Sequence, residues 1–154
     1  PAERLADVAA ATAAAAAGHA GFEIELARLG RFPPGGRPRV VWLGLAEGAE
    51  PVIALAASMR AELARRGLRF DPRPASPHVT LARLQSGASA AEARAIAAAV
   101  AGLAAPPLRF RADAVKVVES VLSRAGPRYS SRARVPLGDG PGMGRGDHDD
   151  AGGL

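Results

Sequence analysis

A chain of 154 residues, of which 48% are hydrophobic, is long enough for one domain with its own core. Alanine supplies much of that fraction and aromatic residues only 4%, so we expect a core made of many small contacts. The absence of cysteine excludes disulfides, thiolate catalysis and cysteine-ligated zinc. The net charge of +5 has two interpretations, attraction to polyanionic partners such as RNA or the arginine content of a GC-rich genome.

The first third of the chain predicts a helix followed by two strands. Residues 2–17 are good helix formers with acidic residues near the N-terminal end and a glycine placed to stop the helix. Apolar and acidic residues alternate over residues 22–26, which predicts a half-buried strand. The Pro-Pro-Gly-Gly stretch at 33–36 breaks this strand, and the almost wholly apolar stretch 39–45 predicts a more central one.

A second helix is predicted in the middle of the chain, over residues 51–66. Pro51 suits a first helical turn, and apolar residues follow at helical spacing. The charged residues of this helix, Arg60 among them, are expected on its solvent side. Residues 71–77 then hold three prolines, which predicts a rigid loop that leads into a strand beginning at His78.

The last part of the chain predicts one more helix and further strands. Ser89 and Glu92 form the Ser-x-x-Glu pattern of a capping box at the start of the helix. The apolar alternation that begins at residue 108 changes parity near Ala114, which predicts a bulge or a bend. Over residues 128–135 every second position is an arginine or a serine, and the positions between them are Tyr129, Ser131, Ala133 and Val135. We therefore expect a last strand with one strongly basic face.

These elements repeat, because the order helix, strand, loop, strand occurs at 2–45 and again at 89–136. The strand that bears His78 and Thr80 precedes the second copy. If the two halves are duplicates, a strand with its own His-x-Thr is expected before Pro1.

The repeat predicts an α+β fold of two lobes related by pseudo-symmetry. Each lobe is expected to be an antiparallel sheet with helices on its outer face, and a basic cleft is expected between the lobes. A single domain is expected over residues 1–137, with lobes at 1–45 and 77–137 that are linked by the helix 51–66. A disordered tail is expected over residues 138–154. The tail is glycine-rich and carries a charge of −3, which leaves +8 on the rest of the chain.

The stretch 77–83, Pro-His-Val-Thr-Leu-Ala-Arg, holds the strongest candidates for a functional site. Side chains alternate along a strand, so His78 and Thr80 lie on one face about 6.5 Å apart, which suits one phosphate. An imidazole there can exchange a proton at neutral pH, and a hydroxyl can hold a phosphate oxygen. Arg83 could neutralise the anion, but an ideal strand places it on the opposite face, so this role requires a bulge, a twist or the end of the strand.

The string at 77–83 resembles the second His-x-Thr motif of the 2H phosphoesterases, most closely the RNA 2′,3′-cyclic phosphodiesterases once called 2′-5′ RNA ligases. The flanks at 38–44, 118–120 and 127–130 are also similar to that family, and the likeness covers about residues 1–137. The resemblance implies a metal-independent hydrolase without a cofactor, in which two histidines share the acid and base roles and two threonines hold the phosphate.

The resemblance implies that RNA ending in a 2′,3′-cyclic phosphate is hydrolysed to a 2′-phosphate. His78 and Thr80 are then the catalytic residues, and Arg83 is the substrate-binding residue. Opening the ring needs a base on one side of phosphorus and an acid on the other, so this chain alone is expected to be inactive or severely weakened. We expect a cytoplasmic monomer with RNA as its partner and no membrane association.

Three alternatives stay open on the sequence alone. One keeps the reaction but changes the substrate to another cyclic or 2′-5′ linked nucleotide, a second is a non-catalytic RNA-binding module, and a third is a small interaction domain. Several further side chains have a structural interpretation and a functional one: Trp42 and Tyr129 as packing residues or edges of the site, and Arg128, Arg132 and Arg134 as a solvated face or an RNA track. His19 is expected to be a surface residue or a partner of a helix C-terminus, and His148 lies in the tail.

Overall fold

The computed structural model describes residues 2–85, 87–124 and 126–139. Over these residues helices and strands occur in the predicted order. Their bounds are α1 Ala2–Ala16, β1 Phe22–Phe32, β2 Val40–Glu47, α2 Ala49–Arg65, β3 His78–Arg83, α3 Ala90–Gly102, β4 Leu108–Ala112, β5 Ala114–Ser123 and β6 Gly126–Pro136. Most of the tail predicted to be disordered, from residue 140 onward, lies outside the described residues.

The larger sheet is antiparallel throughout and has the strand order β3-β2-β1-β4. Strand β1 has a partner on each edge, since its C-terminal half pairs with β2 on one edge and its N-terminal half with β4 on the other. Leu26 marks the overlap, since it lies opposite Leu45 on one side and Leu108 on the other, and it is buried. Strand β3, which carries the candidate site residues, forms one edge of this sheet.

A second, two-stranded antiparallel sheet consists of β5 and β6. The change of parity predicted near Ala114 falls at Asp113, the single residue between β4 and β5. Strand β4 pairs with β1, whereas β5 pairs with β6, so the chain passes from one sheet to the other at this point. The predicted bend is therefore confirmed, and it changes the sheet to which the chain belongs.

The α+β class with separate antiparallel sheets is confirmed, but the assignment of sequence segments to lobes is wrong. The four-stranded sheet takes β1 and β2 from the segment 1–45 and β3 and β4 from the segment 77–137. A repeat in element order predicts that each copy folds on itself. Instead β1 pairs with β4 of the second copy through the edge that β2 leaves free.

The helices pack on the sheets through small side chains. Helix α1 lies against α2 and against the β5–β6 sheet, and α3 lies against β1. The buried residues of α1 are Ala11, Thr12, Ala15 and Ala16, which agrees with the expected core of small contacts. The capping box of α3 is present, since Glu92 N–H donates to Ser89 Oγ at 3.2 Å and Ser89 N–H donates to Glu92 Oε2 at 2.6 Å. None of the described helices is long and apolar enough to cross a membrane.

Candidate active site

A cavity of about 610 Å³ opens on the face of the larger sheet at strand β3. It brings together all three residues that the sequence singled out: His78, Thr80 and Arg83. Its remaining lining residues come from the end of β1, the start of β2, helix α2 and the loop before β3: Phe32, Val40, Arg60, Asp71, Arg73, Pro74, Ala75 and Ser76. The cavity is therefore lined by the three residues predicted to bind a phosphate and by further side chains that the sequence did not indicate.

A bulge in β3 places Arg83 on the same face as His78 and Thr80. Thr80 lies opposite Trp42, but Ala82 lies opposite Val41, so Leu81 is an extra residue without a partner on β2. Residues directly opposite each other in an antiparallel pair point to the same face. Because one residue is inserted, Arg83 regains the face that its position in an ideal strand denies it. Of the three departures from an ideal strand that were expected for Arg83, a bulge, a twist or the strand's end, the structure shows the bulge.

The His78 ring is held in one tautomer by the backbone. Its Nδ1 lies 2.6 Å from the carbonyl oxygen of Ser76, two residues earlier in the proline-rich loop. A carbonyl oxygen can only accept, so Nδ1 must carry the hydrogen in this bond. In the neutral ring Nε2 then has a free lone pair, and this nitrogen is the one available to exchange a proton with a ligand.

Two aromatic rings pack against the imidazole. The Phe32 ring meets His78 edge-on, with ring centroids 5.3 Å apart and an interplanar angle of 79°. The Trp42 ring lies 6.2 Å from His78 and 5.3 Å from Phe32. Phe32 lines the cavity whereas Trp42 does not, so Trp42 is a packing residue that supports His78.

Two glycines make room for the Trp42 indole. A Cβ atom on Gly30 would lie 2.1 Å from Trp42 Cζ2, and one on Gly44 would lie 2.7 Å from Cζ3. Gly30 is the register partner of Trp42 on β1, and Gly44 is the partner of His78 on β3. The indole therefore occupies space that a side chain at Gly30 or Gly44 would need. Because the indole packs against His78, the placement of His78 depends on these glycines.

We expect Gly30→Val to destabilise the fold by about 1–3 kcal/mol, because the new side chain overlaps the indole and forces it to move. The measurement is urea denaturation followed by tryptophan fluorescence, since Trp42 is the only tryptophan. Gly35→Val is the matched control, because a Cβ at Gly35 meets nothing within 4 Å. Equal effects of the two substitutions would contradict this account of Trp42.

The loop before β3 is fixed by an ion pair and by a helix side chain. Arg73 Nε donates to Asp71 Oδ1 at 2.9 Å and to Oδ2 at 3.0 Å, and its Nη2 also donates to Oδ2. These hydrogen bonds lower the pKa of Asp71 to about 2, so its carboxylate is ionised at neutral pH. Arg60 reaches from α2 and donates to the carbonyl oxygen of Arg73.

The expectation that Arg60 faces solvent is wrong in one respect, because its side chain is half-buried and lines the cavity. A signal for this exists in the sequence. Arg60 follows Val52 and Ala56 at steps of four residues, so it continues the apolar stripe of the helix by one turn. No pattern in the sequence indicated as clearly that Asp71 pairs with Arg73.

The other side chains singled out in the sequence lie outside the cavity. His19 Nε2 is 2.9 Å from Ser58 Oγ, in the contact between α1 and α2. The expected basic face of β6 is partly neutralised, since Arg132 pairs with Glu119 and Arg134 with Asp113. A register shift at Arg132 also interrupts its alternation. Tyr129 is 69% exposed, and His148 lies outside the described residues.

Comparison with known families gives one consistent result. A family model for the 2′-5′ RNA ligase superfamily matches residues 1–123. A protein of Aeropyrum pernix named RNA 2′,3′-cyclic phosphodiesterase is 29% identical over 114 residues, which are 74% of this chain and 64% of that protein. A protein of the same name from Geobacillus stearothermophilus is 31% identical over 137 residues, 89% of this chain and 42% of that protein. The chain thus spans less than two thirds of the length of these relatives.

Solved structures show the same fold. The TT0787 protein of Thermus thermophilus is similar with a TM-score of 0.68 and 26% identity, over 90% of this chain and 73% of that one. Apo LigT of E. coli is similar with a TM-score of 0.63 and 25% identity, over 90% of this chain and 70% of that one.

Proposed function

The chain belongs to the 2′-5′ RNA ligase superfamily, and from that premise we propose that it provides half of the active site of an RNA 2′,3′-cyclic phosphodiesterase. His78 exchanges a proton with the reacting oxygen, Thr80 holds a phosphate oxygen, and Arg83 stabilises the charge on the phosphate. The observation that carries this proposal is the bulge at Leu81, which turns the guanidinium of Arg83 to the face of the strand that already holds the imidazole of His78 and the hydroxyl of Thr80, so that all three line one cavity.

The reaction we propose is hydrolysis of the bond between phosphorus and the 3′ oxygen. A water oxygen bonds to phosphorus, a base takes the proton of that water, and the bond from phosphorus to O3′ breaks. An acid then protonates O3′, which leaves a 2′-phosphomonoester and a free 3′-hydroxyl. The Nε2 atom of His78 acts at one of these two oxygens. Arg83 offers paired N–H donors to the phosphate oxygens, and the Thr80 hydroxyl donates to a third site on the same group.

A second proton-transfer group is required on the other side of phosphorus. Within the described residues His78 is the one imidazole that lines the cavity, and His19 is bonded to Ser58 elsewhere. We propose that another His-x-Thr strand supplies the second group and a second hydroxyl. The 154 residues alone are therefore still expected to have no cleavage activity or a severely weakened one. The expectation of a cytoplasmic monomer likewise remains a prediction.

The test is a cleavage assay with a short RNA that ends in a 2′,3′-cyclic phosphate, using protein expressed from the complete gene. We expect a product with a 2′-phosphate, identified by its mass and by removal of the phosphate with a phosphatase. Cyclic mononucleotides and 2′-5′ linked dinucleotides serve as competing substrates. Binding of the RNA without turnover would favour a non-catalytic module, and turnover of the competitors alone would assign a different nucleotide substrate.

A further inference from the structure

The cavity contains more positive charge than one phosphate requires. The strand residues His78, Thr80 and Arg83 form one part of its lining, and helix α2 and the loop 71–77 form another. The second part contributes two further guanidinium groups, those of Arg60 and Arg73, and one carboxylate, that of Asp71. The proposed reaction uses none of the groups in this second part.

The two guanidinium groups of the second part are not equivalent. Arg73 is occupied, because its Nε and Nη2 donate to both carboxylate oxygens of Asp71. Arg60 uses one N–H on the carbonyl oxygen of Arg73 and, within the described part of the chain, forms no ion pair within 4 Å. The hydrogen bonds from Arg73 are the main cause of the lowered pKa of Asp71, and the nearby charge of Arg60 lowers it further by a smaller amount.

The geometry of Arg60 suits an anion. Guanidinium carries five N–H donors, so the bond to the Arg73 carbonyl leaves most of them available. That same bond fixes the group at the cavity wall, which reduces the entropy lost when a ligand binds. The side chain is half-buried, and a charge-assisted hydrogen bond is stronger there than at a fully wet surface.

The size of the cavity leaves room for a ligand larger than a cyclic phosphate. Its volume of about 610 Å³ lies in the range in which pockets enclose a whole small molecule, roughly 300–1,000 Å³. We propose that Arg60 binds a second phosphate of the substrate, the one attached to O5′ of the nucleotide that carries the cyclic phosphate. This inference rests on the proposed function and adds a preference for substrates with that phosphate.

The experiment compares three substrates with protein expressed from the complete gene: adenosine 2′,3′-cyclic phosphate, its 5′-phosphorylated form, and an ApA dinucleotide with a 2′,3′-cyclic end. The last two carry the O5′ phosphate as a monoester and as a diester, so they distinguish a free end from a continuing RNA chain. We expect kcat/KM to be about tenfold or more higher for at least one of them than for the first substrate. In Arg60→Ala this advantage should be lost through KM.

Arg60→Ala also removes the bond to the Arg73 carbonyl, so a second variant separates loop placement from charge. Arg60→Gln removes the charge and keeps an amide donor on a side chain two bonds shorter, and it should lose the same advantage. Arg65→Ala is the matched control, since Arg65 lies on α2, pairs with Glu62 and does not line the cavity. It should keep the wild-type ratio.

The outcomes separate this inference from the proposed function. If none of the three substrates is opened, the proposed function fails, and the inference fails with it. If all are opened but Arg60→Ala and Arg60→Gln lower kcat/KM equally for each, Arg60 only holds the loop and the inference is overturned. A wild-type enzyme without any preference for the O5′ phosphate would overturn it as well.

Discussion

Replacing His78 with alanine should lower kcat for opening of a 2′,3′-cyclic RNA end by about 10³-fold, with a smaller effect on KM. A positioned acid or base typically contributes about 10²–10⁴-fold, and His78 lines the cavity with its Nδ1 bonded to the Ser76 carbonyl, which leaves Nε2 for proton exchange. Because the phosphate would still meet Thr80 and Arg83, binding should persist. The measurement is steady-state cleavage by protein expressed from the complete gene.

Two variants make the result specific to proton transfer. His78→Asn can still donate from its side-chain amide toward the Ser76 carbonyl, but it cannot titrate, so it should be as inactive as His78→Ala. His19→Ala removes a histidine that lies away from the cavity and should cleave at the wild-type rate, once its folding is verified by circular dichroism. Activity of His78→Ala within tenfold of wild type would exclude His78 as an acid or base.

Local patterns in the sequence predicted the elements well, because each element is determined by near neighbours. The capping box of Ser89 and Glu92 is a contact over three residues, and it is formed as expected. The alternation of apolar residues that starts at Phe22 predicted β1 for the same reason, since a strand half-buried on one face needs every second residue apolar. The parity change near Ala114 even located the passage between the two sheets.

Strand partners depend on contacts between distant residues, and the predicted assignment of the strands to two lobes was wrong. Nothing in the alternation of β1 reveals that its first half pairs with β4, through pairs such as Ile24 with Phe110, which are 86 residues apart. Loop closure over such a distance costs entropy that only the whole sheet offsets. The internal repeat therefore described the order of the elements correctly and assigned the lobes incorrectly.

The candidate site was predicted in part for a related reason. His78 and Thr80 lie two residues apart on one strand, so their spacing alone indicated a phosphate site, whereas the place of Arg83 depended on a departure from an ideal strand. The rest of the lining converges from separate elements, and Phe32 and Asp71 reach the cavity only through the fold. The indole of Trp42 is a further example, because its place under His78 depends on Gly30 of a different strand.

Arg83→Ala should lower kcat/KM by about 10²–10³-fold, the effect expected when a donor to a developing oxyanion is removed. In the described part of the chain Arg83 has no carboxylate within 4 Å, so its charge is available to the phosphate. Arg83→Lys should recover only part of the loss, since it restores the charge without the paired donors. An unchanged rate in Arg83→Ala would place the phosphate elsewhere in the cavity.

The bulge provides a separate test of the same role. Deletion of Leu81 removes the extra residue, and because the side-chain period of a strand is two, Arg83 then turns to the opposite face. The deletion should therefore be as inactive as Arg83→Ala while His78 and Thr80 keep their positions. Leu81→Ala is the control, because Leu81 is 53% exposed and this substitution preserves the residue count of the strand. If the deletion folds, as judged by its thermal melt, and still cleaves at the wild-type rate, the guanidinium is not needed on the face that the bulge gives it.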